Sequence, residues 1–147
     1  MKRIVNEPQE IDGIRVVQDS WEIKKALENK ESVYHWEFGT SLAPLINDKE
    51  YCLIKPCTPI EVKRGDCVFC VLEDEYGHEY PMVHQVWEIS DASHNGELWF
   101  KIGSTMHTIF GWTNRVYGIA KGTNIYQEMT PKWKEFLRKE QEKYSNS

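Results

Sequence analysis

The chain has 147 residues, a net charge of −5, 40% hydrophobic and 28% charged side chains, and six tryptophans. That length buries a core without staples and reads most simply as one domain; the excess of acid excludes the basic surface of a general nucleic-acid binder, and the aromatic content excludes disorder. No apolar run approaches the ~20 residues that span a bilayer and the first residues lack the apolar segment of a signal peptide, so a soluble, cytoplasmic protein is expected.

Residues 1–18 read as a polar lead-in whose apolar patch, Ile14-Arg15-Val16-Val17, suits a short strand. Asp19 and Glu22 have capping-box spacing, and Ile23, Ala26 and Leu27 at i, i+3, i+4 predict a short helix that ends near Asn29. Val33-Tyr34-His35-Trp36-Glu37-Phe38 alternates and predicts a strand. Beyond Pro44 the pattern is β: strands are expected at 50–54, 67–72, 82–89, 97–102 and 115–120. Between them fall turns at 56–59 and 90–96, an acidic hairpin tip at 73–78 and a loop at 103–114. Thr130 at N-cap and Pro131 at N1 start a C-terminal helix. Its stripe of Trp133, Phe136 and Leu137 is expected to dock on the protein's own core. The expected organisation is a lead-in at 1–18, a β domain at 19–124 and a helical tail at 125–147.

The chain centres on Phe38-Gly39-Thr40-Ser41-Leu42-Ala43-Pro44-Leu45-Ile46. Gly39 opens backbone angles closed to other residues, and Pro44 fixes its own φ and pushes Ala43 toward an extended form. A stiff turn then presents the Ser41 hydroxyl, with backbone N–H groups beside it that suit an oxyanion. Serine also occupies turns merely to bond its own backbone. His84 lies mid-strand in Pro81-Met82-Val83-His84-Gln85-Val86, sharing a face with Met82 and Val86. It reads either as a hydrogen-bonded histidine on a half-buried sheet or as a general base, neutral near pH 7. Of Cys52, Cys57, Cys67 and Cys70, the Cys67-x-x-Cys70 pair sits on a predicted strand. The odd offset sends the two thiols to opposite faces, so small buried hydrophobes are expected rather than zinc, and no metal or cofactor is implied.

Several of these pieces resemble, in order and spacing, the signal-peptidase-like serine peptidases, the group that also contains the self-cleaving domains of SOS-type repressors. Their G-x-S-M-x-P is matched by Gly39-Thr40-Ser41-Leu42-Ala43-Pro44, with Leu42 for Met. Their K-x-G-D-x-V is matched by Lys63-Arg64-Gly65-Asp66-Cys67-Val68. The histidine-type P-x-V-H-R-V is matched by Pro81-Met82-Val83-His84-Gln85-Val86, with Gln85 for Arg. A G-D-x-N loop and a V-x-G-x-x strand correspond to Gly103-Ser104-Thr105-Met106 and Val116-Tyr117-Gly118-Ile119-Ala120. The resemblance covers residues 20–122 and departs at one chemical point. Ser104 stands where relatives carry the aspartate that orients the base, and no aspartate follows Asp91.

The resemblance implies a mainly β fold of coiled, partly barrel-like antiparallel sheets, with one helix before the Ser41 strand and one at the C-terminus. It implies a soluble serine endopeptidase that acts on a peptide or protein partner. Ser41 is its nucleophile, His84 its base, Gly39 and Thr40 support the oxyanion region, and Ser104 or Asn114 stands in for the absent aspartate by hydrogen bonding. Gly39 also lacks the hydroxyl that some relatives place two residues before the nucleophile, which leaves the backbone to serve alone. The competing expectation is a module that keeps the peptide-binding β scaffold without the chemistry.

Overall fold

The computed structural model describes residues 3–5, 8–90, 96–128 and 131–145. Thr130, most of the turn expected at 90–96, and the side chains of Trp133 and Leu137 lie outside the described residues. In chain order the elements are β1 (Arg3–Val5), β2 (Glu10–Ile11), β3 (Ile14–Arg15), α1 (Ser20–Glu28), β4 (Val33–Glu37) and β5 (Glu50–Pro56). A 3-10 turn (Pro59–Glu61) leads to β6 (Cys67–Glu73), β7 (Glu79–Ser90), β8 (Trp99–Gly103), β9 (Ile109–Thr113), β10 (Val116–Gln127) and α2 (Pro131–Ser145). The protein is mainly β, and no described helix is long and apolar enough to cross a membrane.

One eight-stranded sheet runs β4-β5-β10-β6-β7-β8-β9, with β1 added in parallel to β10. Every other pairing in it is antiparallel. Side-chain alternation makes the two faces into separate cores. Ile23, Ala26 and Leu27 of α1 are buried on one face against Val33, Cys52, Ile54, Cys67, Phe69 and Ala120. The helix starts where expected because the Asp19 carboxylate accepts the N–H of Trp21 at 2.9 Å and of Glu22 at 3.1 Å. On the other face Val68, Cys70, Leu72, Val86, Phe100, Ile102 and Val116 form a second cluster. There Thr113 at the end of β9 donates its hydroxyl to the Val71 carbonyl of β6 at 2.6 Å, which ties the last strand of the order to one three places away. A third cluster gathers Tyr34, Trp36, Tyr51 and Ile125 with Ile11 of the N-terminal hairpin β2–β3.

Besides shifts of one to three residues at strand ends and the unexpected β1 and β2 in the lead-in, two larger differences from the sequence reading change the sheet. The expected loop at 103–114 contains β9, which alternation misses because Ile109, Phe110 and Trp112 are all exposed. Its position at the end of the strand order leaves these residues outside the core. The last strand runs to Gln127 instead of stopping at Ala120, through the polar stretch Lys121-Gly122-Thr123-Asn124. Tertiary pairing overrides composition there: β5 holds Gly122 opposite Cys52, and β1 lies beside Ile125 to Gln127. The sheet therefore draws residues from both ends of the chain beyond 19–124.

Candidate functional site

β4 ends at Glu37 and releases the chain into the Ser41 turn. Gly39 adopts a φ of +99°, the left-handed region that favours glycine, and its N–H donates to the Asp48 carboxylate at 2.6 Å. The Ala43 N–H donates to the Thr40 carbonyl at 3.1 Å, closing a tight turn with Ser41 at its exposed corner. Leu42 and Ile46 are buried in the α1-side core and anchor the turn from below. Among the described residues, the N–H groups of Thr40, Ser41 and Leu42 carry no hydrogen bond. That leaves three successive backbone donors beside the Ser41 hydroxyl.

The turn is clasped from 64 residues away. Thr105, on the β8–β9 connection, donates its N–H to the Ser41 carbonyl at 2.9 Å, and its hydroxyl reaches the Ala43 carbonyl at 2.6 Å. The two residues before it lead straight to His84. Gly103 pairs with Gln85 across β7 and β8, and His84 is the next residue on β7. A Cβ at Gly103 would meet the Thr108 carbonyl at 2.6 Å and the Trp87 indole nitrogen at 2.9 Å, so only glycine lets the β8–β9 turn close this tightly beside β7. The fourth sequence motif is thereby packed against the first and beside the third.

His84 stands opposite Val68 of β6, on the face of the second core. Its ring lies 4.6 Å from that of Phe110, centroid to centroid, and its Nδ1 is buried without a hydrogen-bond partner. Burial holds its pKa below the ordinary histidine value of 6.5, and the negative charge of Glu37 only partly offsets this. His84 is therefore neutral at pH 7. Among the described residues no hydrogen bond joins it to the Ser41 hydroxyl.

The two residues expected to steady His84 are engaged elsewhere. Ser104 is buried, and its hydroxyl oxygen accepts the N–H of Met106 and of Thr108, both at 3.1 Å, which shapes the β8–β9 turn. Asn114 donates to Glu97 at 2.8 Å, beyond the far end of β9 from the β8–β9 turn. Sequence reasoning also passed over the polar pair that leads into the Ser41 turn. His35 Nδ1 lies 3.0 Å from the Val17 carbonyl, and its Nε2 lies 3.3 Å from the Glu37 carboxylate. Both ring nitrogens face acceptors, which an imidazolium with two N–H groups satisfies. Burial opposes that charge, but the hydrogen bond and charge of Glu37 and the Val17 carbonyl outweigh it and raise the His35 pKa. The i, i+2 spacing of His35 and Glu37 on one strand face was the legible signal. The role of Thr105 had none.

The cysteines separate by parity as expected: Cys67 lies in the α1-side core and Cys70 in the opposite one. Cys52 joins Cys67, and Cys57 borders the second core. No family model, curated protein or solved structure matches the chain.

Proposed function

We propose that the protein is a serine endopeptidase-like hydrolase of the signal-peptidase type, acting in the cytoplasm on extended segments of peptides or proteins. Ser41 attacks the scissile carbonyl and His84 accepts the hydroxyl proton, passing it to the leaving amine. The free N–H groups of Thr40, Ser41 and Leu42 hold the developing oxyanion. Water then cleaves the acyl-enzyme. The observation that carries this reading is the clasp of Thr105 on the Ser41 turn, which draws the first and fourth motifs together beside the strand of the third. The neutral state of His84 supports it further, since only the free base can take the proton.

The unpartnered Nδ1 of His84 favours a second reading, an inert module that binds an extended peptide along the sheet edge. With nothing at Nδ1, no group holds the tautomer that leaves Nε2 ready to accept. Losing the orienting acid costs about 10⁴ in rate in the serine triad. A hydroxyl-directed fluorophosphonate probe separates the two, applied from pH 6 to 9 to wild type, Ser41→Ala and His84→Ala. The hydrolase labels at Ser41, loses labelling almost completely in both variants, and loses no more in the double variant, because paired nucleophile and base act as a unit. A folded wild type that takes no label sinks the hydrolase and leaves the binding module.

A further inference from the structure

The face of β5 and β10 turned away from α1 holds a cavity of about 460 Å³, within the roughly 300–1,000 Å³ of small-molecule sites. Strand parity places Leu53, Lys55, Ile119 and Lys121 on this face, opposite Cys52, Ile54 and Ala120 of the α1-side core. Its floor is apolar and lies across the seam of two cores. Leu53 packs against the Tyr51 and Trp36 cluster, while Ile119 and Cys57 pack against the Val116 and Val62 cluster. Its rim is charged. Lys55 stands opposite Ile119, and Lys121 opposite Leu53, so the lysines are diagonal neighbours, about 7–8 Å apart with their Cβ atoms somewhat closer. Neither makes a hydrogen bond or ion pair among the described residues, although the chain as a whole carries a net charge of −5. Glu61 lines the cavity too, but its carboxylate is occupied by the Thr58 N–H at 2.6 Å.

We propose that this cavity is a binding site for a small monoanionic amphiphile, a carboxylate with an apolar body. The two lysine ammoniums grip the head group and the seam between the cores takes the tail. Two ammoniums against one carboxylate leave a single positive charge to be matched, which suits a carboxylate. A phosphate dianion would be repelled by Glu61 and would find no arginine fork or backbone nest among these lining residues. The site is separate from the Ser41 turn, which packs on the other face, and stands whether or not Ser41 is a nucleophile.

Cys57 supplies the reporter. It lines the cavity and is the one cysteine of the four that is not buried. Burial first, then Glu61 and Asp66, push its thiol up to about 11, so it labels slowly and measurably at pH 8. The full-length protein is labelled with N-ethylmaleimide and followed by intact mass, alone and with decanoate, decanol or decyltrimethylammonium below their micelle concentrations. Decanoate near saturation slows Cys57 labelling about tenfold, and the two uncharged or cationic probes leave it nearly unchanged. The double variant Lys55→Met, Lys121→Met keeps its circular dichroism and its labelling rate without probe but loses the protection. Absence of protection by decanoate, equal protection by decanol, or protection that survives in the double variant overturns the proposal. Should labelling prove too slow to follow, the Leu53 and Ile119 methyl resonances decide in the same way: they shift with decanoate in wild type only, or the site is not there.

Discussion

Two histidines 49 residues apart illustrate how the same side chain takes opposite roles in one fold. His35 is buried but sits between two acceptors that raise its pKa, whereas His84 is buried against Phe110 and its pKa is lowered. The raised pKa of His35 means its stabilisation is fully present below about pH 6.5, the unfolded value, and is lost as pH climbs through the folded pKa. The lowered pKa of His84 works the other way. Its contribution is complete above about pH 6.5 and drains away as pH falls, because the unfolded chain binds a proton that the buried ring refuses. Urea midpoints between pH 5.5 and 8.5 should therefore peak near neutrality in the wild type. His35→Gln should flatten the alkaline side of that profile and His84→Gln the acid side. A variant profile that merely drops without changing slope would show that the residue packs but does not titrate in the folded state.

Among the elements, the β8–β9 connection controls the geometry around Ser41. Its Thr105 hydroxyl and N–H hold two carbonyls of the Ser41 turn, and Gly103 lets the turn close against its own Thr108 carbonyl. Thr105→Val preserves shape and removes the hydroxyl donor, leaving the half-buried Ala43 carbonyl without that bond. It should cost about 1–2 kcal/mol in urea unfolding and speed hydrogen exchange at Ala43, Leu45 and Ile46, whose N–H groups close the turn. Gly103→Ala should cost more, about 1–3 kcal/mol, because its new methyl meets backbone at Thr108 and no side chain can swing away. If Gly103→Ala is neutral, the β8–β9 turn is looser than these contacts require. The exposed run of β9, with Ile109, Phe110 and Trp112, reads poorly in sequence for a related reason. An edge strand need not alternate where its side chains lie outside the core, and in β9 only the terminal Thr113 is buried.

On the scale of the whole molecule, the sheet joins residues from both ends of the chain: Arg3 lies beside Ile125, and Val33 and Ala120 both flank Ile54. Such non-local pairing incurs loop-closure entropy before any core forms, so refolding is expected on the millisecond-to-second scale and not in microseconds. Stopped-flow tryptophan fluorescence measures this directly, and a sub-millisecond main phase would contradict the sheet order. The sequence by itself determined what depends on neighbours along the chain. The Asp19 cap, the apolar stripe of α1, the strand that enters the Ser41 turn and the opposed faces of Cys67 and Cys70 all follow from periods of 3.6 and 2 and from local hydrogen bonding. Tertiary structure alone decided which distant groups meet. It extended β10 through a polar stretch because β5 and β1 were there to pair with it. It gave Ser104 to the β8–β9 turn and Asn114 to Glu97, and it set Thr105 on the Ser41 turn. These contacts span tens of residues, and their energies depend on burial and approach that no local pattern encodes.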